Sequence, residues 1–206
     1  MSDFYLASHS ARRFELLRQV GARFETLLLR SSGPRGPDVS EALHAGEAAV
    51  DYVTRIANEK AAQGVQAVHA RSLLKKPVLS ADTVVVVDDI ILGKPRDSAE
   101  ALHFLETLSG KTHEVLTVVA LALPSGPAPN LWTRLSRSRV TLRAIEPAEA
   151  VRYVSTGEPF DKAGGYAIQG RAAIFVERLE GSYSAVVGLP LAETAALLGL
   201  AGIRLL

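Results

Sequence analysis

The sequence predicts an α/β protein on a mixed, twisted sheet flanked by helices. Three observations carry this expectation. Short apolar runs alternate with segments of helical periodicity through the first half of the chain. The run PVLSADTVVVV is too continuously apolar for a strand with one wet face. Two long strand-like runs later in the chain flank PSGPAPN, a turn-rich connection that reads as a hairpin.

In chain order, residues 4–7 read as a strand, and Phe14, Leu16, Leu17 and Val20 then recur at helical spacing behind Ser10, a natural N-cap. Residues 23–29 read as a second strand. Residues 31–46 are rich in Gly, Pro and Ser, and a connection of this length inside a compact domain is more often functional than idle. A helix is expected over residues 47–72, with Val50, Val53, Ile56 and Ala57 on one face and a break at Gly64. Residues 77–87 form the buried strand, and Asp88-Asp89 makes a tight turn into IILG. A helix over 98–108 is closed by Gly110, and the hairpin strands span 114–123 and 131–142. Helices are expected over 147–154, with Pro147 at the start, and over 191–198, with a strand over 173–178 between them.

A chain of 206 residues is expected to form one domain, or one domain pinched into two lobes around a central cleft. Its 23 Lys and Arg against 22 Asp and Glu give no global field suited to duplex nucleic acid or an anionic membrane, so any anion preference must be local. The absence of cysteine excludes disulfides and thiolate metal sites. MSDFYLAS lacks the basic and apolar regions of a signal peptide, and no run approaches the ~20 apolar residues of a membrane span. A soluble, cytoplasmic protein is expected.

The segment FYLASHSARRFELLRQVG places Arg12 and Arg13 in the first turn of a helix. A helix N-terminus already carries partial positive charge and unpaired N–H groups, so two cations there are unfavourable unless an anion shares the site. Ser8, Ser10 and the helix N–H groups would form a cradle for a phosphate that Arg12 and Arg13 complete. No contact of the Arg13 guanidinium is expected without that ligand. In SADTVVVVDDIILGKP, Asp82 stands at the mouth of an apolar strand, a costly place for a carboxylate unless it is paired or used. A two-residue turn would set Thr83 opposite Lys94, and strict alternation then points Asp82 and Lys94 to opposite faces unless a bulge intervenes. On spacing alone the arginines could be surface charges, Asp82 a turn cap, Lys60 and Lys94 solvent lysines, and Glu41 a solvated loop carboxylate. GEPFDKAGGYAIQG groups Asp161, Lys162 and Gln169 with Gly164, Gly165 and Gly170, a composition suited to backbone lying close to a ligand. SGKT at 109–112 is no P-loop, because its leading glycine would have to replace Leu105. The five histidines have no ligand spacing, and Trp132 with sparse aromatics makes no stacking platform for single strands.

Taken in order, LASHSARRFELL, EKA, SADTVV, LGKP, SGKTHEV, GEPFDKAGGYAIQG and GSYSAVVGLPLAET resemble the signature segments of the Maf family of nucleoside triphosphate pyrophosphatases, from about residue 4 to residue 198. The resemblance implies a fold similar to that of inosine triphosphate pyrophosphatases. It also implies hydrolysis between the α and β phosphates with a divalent cation, Mg, Mn or Co. By this resemblance Asp82 is the proton acceptor, and Arg12, Arg13, Lys60 and Lys94 face the phosphates. Glu41 belongs to the metal site, with Asp82 as the second oxygen ligand; base and ligand are competing roles for Asp82. Arg13, Thr83 and Gln169 bear on substrate choice, and Lys162 joins Ser8 and Ser10 among the substrate-binding residues. AIQG resembles the branch acting on dTTP and UTP in the cleansing of nucleotide pools; the sister branch acting on N7-methyl-GTP has Glu-Gly in place of Gln169-Gly170. The sequence departs from the family pattern at Ala11, usually proline, at Ser40, often acidic, and at Ala172, usually glycine. The implied partner is the nucleotide, and a homodimer is compatible with the sequence. The alternative from another class is a nucleotide-binding regulator of septum formation, which would keep the cations and Gln169 without needing Asp82.

Overall fold

The computed structural model describes residues 2–32, 36–124 and 129–205. Seven strands are present among them: β1 (Phe4–Leu6), β2 (Phe24–Thr26), β3 (Val78–Val87), β4 (Ile90–Leu92), β5 (Thr112–Leu123), β6 (Asn130–Leu142) and β7 (Val176–Glu180). They hydrogen-bond in the order β2-β1-β3-β5-β6-β7, with β4 on β3 outside that path. β1 runs parallel to β2 and β3, whereas β4 is antiparallel to β3 and β7 to β6, so the sheet is mixed as expected. The helices are α1 (Ala11–Gln19), α2 (Ala49–Ala70), α3 (Ser98–Leu108), α4 (Pro147–Val154), α5 (Tyr183–Val187) and α6 (Leu191–Leu200). β5 and β6 are neighbours in the sheet, but most of the PSGPAPN connection, at 125–128, lies outside the described residues, as do residues 33–35 of the long loop.

The chain divides into two compact units. The first comprises Met1–Asp82, Thr117–Leu135 and Gly188–Leu206, and the second Thr83–Leu116 and Ser136–Val187. In the first, the expected break at Gly64 does not occur and α2 runs unbroken through it. Gly64 is there for space: a Cβ would come within 2.5 Å of Val78 Cγ1 and 3.4 Å of the Ala7 methyl, so its absence lets α2 lie close on β1 and β3. Of the expected apolar face of α2, Val53, Ile56 and Ala57 are buried and Val50 only half-buried, and the stripe continues through Ala61, Val65 and Val68; Phe4, Leu6, Leu17 and Leu79 are buried as well. The helix begins at Ala49 rather than at Glu47, because the Glu47 carboxylate turns back to the Arg55 guanidinium at 2.6 and 2.8 Å and to the His44 N–H at 3.1 Å. β2 is likewise shorter than its apolar run suggested.

In the second unit, Asp88 and Asp89 both adopt left-handed φ angles, 50° and 62°, as a two-residue hairpin turn requires. The ladder then pairs Val87 with Ile90, Val86 with Ile91 and Val85 with Leu92. The strand expected over 173–178 is displaced. Arg171–Phe175 forms a 3₁₀ turn and β7 begins at Val176, because Glu158 holds the Arg171 and Ala172 N–H groups and the Ala173 N–H turns back to the Gly170 carbonyl at 3.1 Å instead of joining a ladder. Two further 3₁₀ turns, Glu158–Asp161 and Ala163–Gly165, and the short α5 carry no apolar periodicity and were not legible in the sequence. Gly164, at φ 70°, packs against Val85 so closely that any side chain would collide at 2.8 Å, and its N–H bonds the Gly93 carbonyl at 2.9 Å.

Candidate active site

The β1–α1 connection is built by its serines. Ser8 Oγ accepts the Ser10 N–H at 3.1 Å, and Ser10 caps α1 through a long contact, 3.5 Å, from the Arg13 N–H. The first turn of α1 contains no acid, so Arg12 and Arg13 are the charges at its positive end. Contrary to expectation, the Arg13 side chain is already anchored: its Nε donates to the Gly188 carbonyl at 2.7 Å and Nη1 to Ser8 Oγ at 3.3 Å. Burial lowers the Arg13 pKa, an effect opposed by the charges of Asp82 and Glu41 and reinforced by Arg12. The guanidinium stays charged, since arginine is not deprotonated in proteins. The first unit therefore holds a constrained cation at the head of a helix, within the field of two carboxylates.

Those carboxylates meet at a lysine. Lys60 Nζ lies 2.8 Å from Asp82 Oδ1 and 2.6 Å from Glu41 Oε1. Asp82 and Thr83 are the half-buried pair in a strand whose preceding four residues are buried, so the costly carboxylate recognised in the sequence is paired, with Lys60 of α2. The register of that pairing is set by Ser80, whose hydroxyl donates to the Ala57 carbonyl at 2.6 Å, two residues before Asp82 and three before Lys60. One turn of helix and one strand repeat then bring ammonium and carboxylate together.

Glu41 comes from the long loop, and α2 holds that loop by its backbone. The Tyr52 hydroxyl donates to the Glu41 carbonyl at 2.9 Å, and Arg55 Nη2 to the Ala42 carbonyl at 3.0 Å, while the same guanidinium also bonds Glu47 and pairs with Glu59 at 3.6 Å. The Arg55 guanidinium holds the Glu47 carboxyl down at about 2. Burial, with the charges of Asp82 and Glu41, pushes the Tyr52 phenol up to about 12, so it remains a donor. None of Tyr52, Arg55 or Ser80 was singled out in the sequence. A helical i, i+3 pair and the serine that opens SADT give no sign of a loop that docks from elsewhere. The exposed Ser40 hydroxyl accepts the Ala42 N–H at 3.4 Å, and the helix start at Ala11 proceeds without proline because Ser10 supplies the cap.

The remaining candidates lie in the second unit. Thr83 is half-buried, and the β3–β4 ladder stops short of it and of the exposed Lys94. Lys162 is engaged within its own segment, donating to the Glu158 carbonyl at 2.7 Å and contacting the Asp161 carboxylate. Gln169 is exposed in the turn closed by the Gly170 N–H on the Ala167 carbonyl at 3.0 Å. Three residues earlier in the same segment, Tyr166 is buried together with His113, hydroxyl and Nε2 2.7 Å apart, and burial takes the His113 pKa down to about 4.

The chain matches the family model described as "Maf-like protein" over residues 3–201. A protein of Bordetella parapertussis named dTTP/UTP pyrophosphatase is 51% identical over 97% of this chain and 92% of its own length. Proteins of the same name from Cupriavidus pinatubonensis and Burkholderia orbicola are 49% and 52% identical, over 99% and 94% of this chain and 100% and 90% of their own lengths. With the Lys60 of EKA and the Asp82 of SADTVV joined in one charged cluster, a family model matching residues 3–201 and relatives matching along nearly their whole length, the chain belongs to the Maf family.

Proposed function

We propose that this chain is a nucleoside triphosphate pyrophosphatase that hydrolyses dTTP and UTP to the monophosphate and pyrophosphate, removing unwanted pyrimidine nucleotides from the pool. The observation that supports this most directly is the bridge from Lys60 to both Asp82 and Glu41, a compact set of a base, a metal-site carboxylate and a phosphate-binding cation in one unit. The name carried by relatives of about half identity points the same way.

In this mechanism a water oxygen attacks the α-phosphorus and passes its proton to Asp82, while the bond from that phosphorus to the α–β bridging oxygen breaks and its electron pair leaves on pyrophosphate. Asp82 Oδ1 is held by Lys60, so Oδ2 is the oxygen that takes the proton. Such displacement is catalysed mainly by positioning and by neutralising charge. Arg12 and Arg13 provide that at the head of α1, with Ser8 and Ser10 offering hydroxyls, and Lys60, Lys94 and Lys162 add point charges. Glu41 would hold the divalent cation, Mg, Mn or Co, which supplies further charge neutralisation on the phosphates; to be its second oxygen ligand is the role of Asp82 that competes with that of base. The residues fit such an ion, since two carboxylates already share one cation, and hard divalent ions in nucleotide enzymes take one or two carboxylates with the rest from substrate and water. Among the described residues no group of three or more His, Asp or Glu side chains stands ready to hold such an ion. The Gln169 amide, donor and acceptor at once, suits the imide edge of uracil or thymine, whereas cytosine reverses the polarity at two of those atoms. Thr83 and Arg13 complete the choice of substrate.

No helix among the described residues is long and apolar enough to cross a membrane. We place the enzyme in the cytoplasm, acting on free nucleotides, with a homodimer as the assembly to test by sedimentation. The deciding experiment is a panel of canonical triphosphates and N7-methyl-GTP with Mg²⁺, Mn²⁺ and Co²⁺, scored for pyrophosphate release. UTP and dTTP should exceed CTP and the purines in kcat/KM. Equal rates, or a preference for N7-methyl-GTP, would refute the substrate, and binding without pyrophosphate release would favour a regulator.

A further inference from the structure

Gln169 stands in a segment with little regular structure, yet an exposed amide discriminates between bases only if its turn is held in place. Left free, it would sample several rotamers and lose that ordering entropy each time a nucleotide bound. The holding group is a carboxylate that the mechanism does not use. Glu158 Oε2 accepts the Arg171 N–H at 3.0 Å, and Oε1 accepts the Ala172 N–H at 3.3 Å and the Tyr153 hydroxyl at 3.0 Å. The two backbone donors open the 3₁₀ turn Arg171–Phe175 directly after Gln169 and Gly170, and the residue in the cap position offers them no side chain.

Gly170 shows how tightly this clamp closes. Its φ of −108° is open to any residue, so conformation does not demand glycine. Space does: a Cβ would fall 2.5 and 2.6 Å from the two Glu158 oxygens. Glu158 is itself fixed from behind, its N–H bonded to Thr156 Oγ1 at 3.2 Å and its carbonyl to Lys162 Nζ at 2.7 Å. Tyr153, the third donor, is buried edge-on against Phe175 with ring centroids 5.6 Å apart. A rigid helix, α4, is thereby connected through one carboxylate to the backbone on the C-terminal side of Gln169.

We propose that Glu158 is a positioning residue for base recognition: with Tyr153 behind it and Gly170 cleared to admit it, its carboxylate clamps the turn that presents Gln169. The inference rests on the reading of Gln169 as the base-recognising residue. Glu158→Gln keeps the size but offers an NH₂ where two backbone N–H groups and a hydroxyl need acceptors, so the clamp loosens without a cavity. Tyr153→Phe removes one donor, and Gly170→Ala pushes the carboxylate away.

The test is a double-mutant cycle between Glu158→Gln and Gln169→Ala, read as the ratio of kcat/KM for the triphosphate the wild type prefers to that for the one it uses least, with melting temperature measured on each variant. Glu158→Gln should lower the ratio by about tenfold when Gln169 is intact, the scale of one charge-assisted hydrogen bond, and leave it unchanged when it is combined with Gln169→Ala. Gly170→Ala should reproduce the loss. Tyr153→Phe should show a smaller one, and serves in place of Glu158→Gln if the latter does not fold. A loss that is the same in both backgrounds, or a fall in rate with an unaltered ratio, would overturn the positioning role. The cycle uses whichever nucleotide the wild type prefers, so a preference other than UTP or dTTP refutes the proposed substrate alone. A wild type with no preference removes base recognition and the clamp's role with it.

Discussion

Replacing Arg13 by lysine conserves charge and tests two functions of one side chain. In the structure Nε donates to the Gly188 carbonyl at 2.7 Å and Nη1 to Ser8 Oγ at 3.3 Å. A lysine has a single nitrogen and cannot span both acceptors, so at least one of them, in a half-buried setting, loses its charged donor. A hydrogen bond to a charged group contributes about 1.5–3 kcal/mol, and lysine recovers part of this, so the net cost is about 1–2 kcal/mol. For a chain of this length that corresponds to a melting temperature lower by about 2–8 °C. If the anchored guanidinium also grips phosphate oxygens at the head of α1, kcat/KM should fall at least about tenfold, because a point charge cannot replace a planar fork. The stabilisation by a non-hydrolysable triphosphate should shrink as well. Thermal shift with and without the analogue, beside steady-state kinetics, separates the two functions. A variant that melts with the wild type refutes the structural anchor. One that melts lower but keeps its full ligand-induced shift and its rate refutes the phosphate role, and with it the reason given for arginines at that helix end.

Asp82→Asn preserves shape and should reduce turnover by about 10² to 10⁴ while an analogue still binds; a residual rate above about a tenth of wild type would exclude the general base. His113 is buried and held neutral, with its pKa taken down to about 4 from an ordinary 6.5, so the unfolded chain binds the proton that the folded one refuses. Stability should therefore fall as pH drops below about 6.5, by roughly 2 kcal/mol at pH 5, and a flat urea midpoint between pH 7 and 5 would contradict it. Gly64→Ala should gain about 1 kcal/mol of helix propensity and lose about 1–3 to the collision with Val78, leaving the variant less stable overall. An equal or higher melting temperature would show that β3 can yield there.

What the sequence determined by itself was mostly local. The strand–helix alternation, the Ser10 cap, the Asp88-Asp89 turn and the apolar face of α2 follow from periodicities and turn chemistry that act within a few residues. The oddities that pointed to function were equally local: two arginines at a positive helix end, and an aspartate in an apolar strand. Tertiary structure decided what those groups touch. Asp82 meets Lys60 across 22 positions because Ser80 locks β3 to α2, and Arg13 reaches Gly188 across 175. Gly64 continues a helix instead of ending it, because the space it leaves is filled by another strand. Residues 173–175 fall in a 3₁₀ turn where a strand over 173–178 is expected, since the turn is opened at Arg171 by a bond to Glu158, 13 residues earlier. In each case the deciding interaction is a hydrogen bond or a steric contact between segments distant in sequence, whose energy enters only after the chain has closed the loop between them.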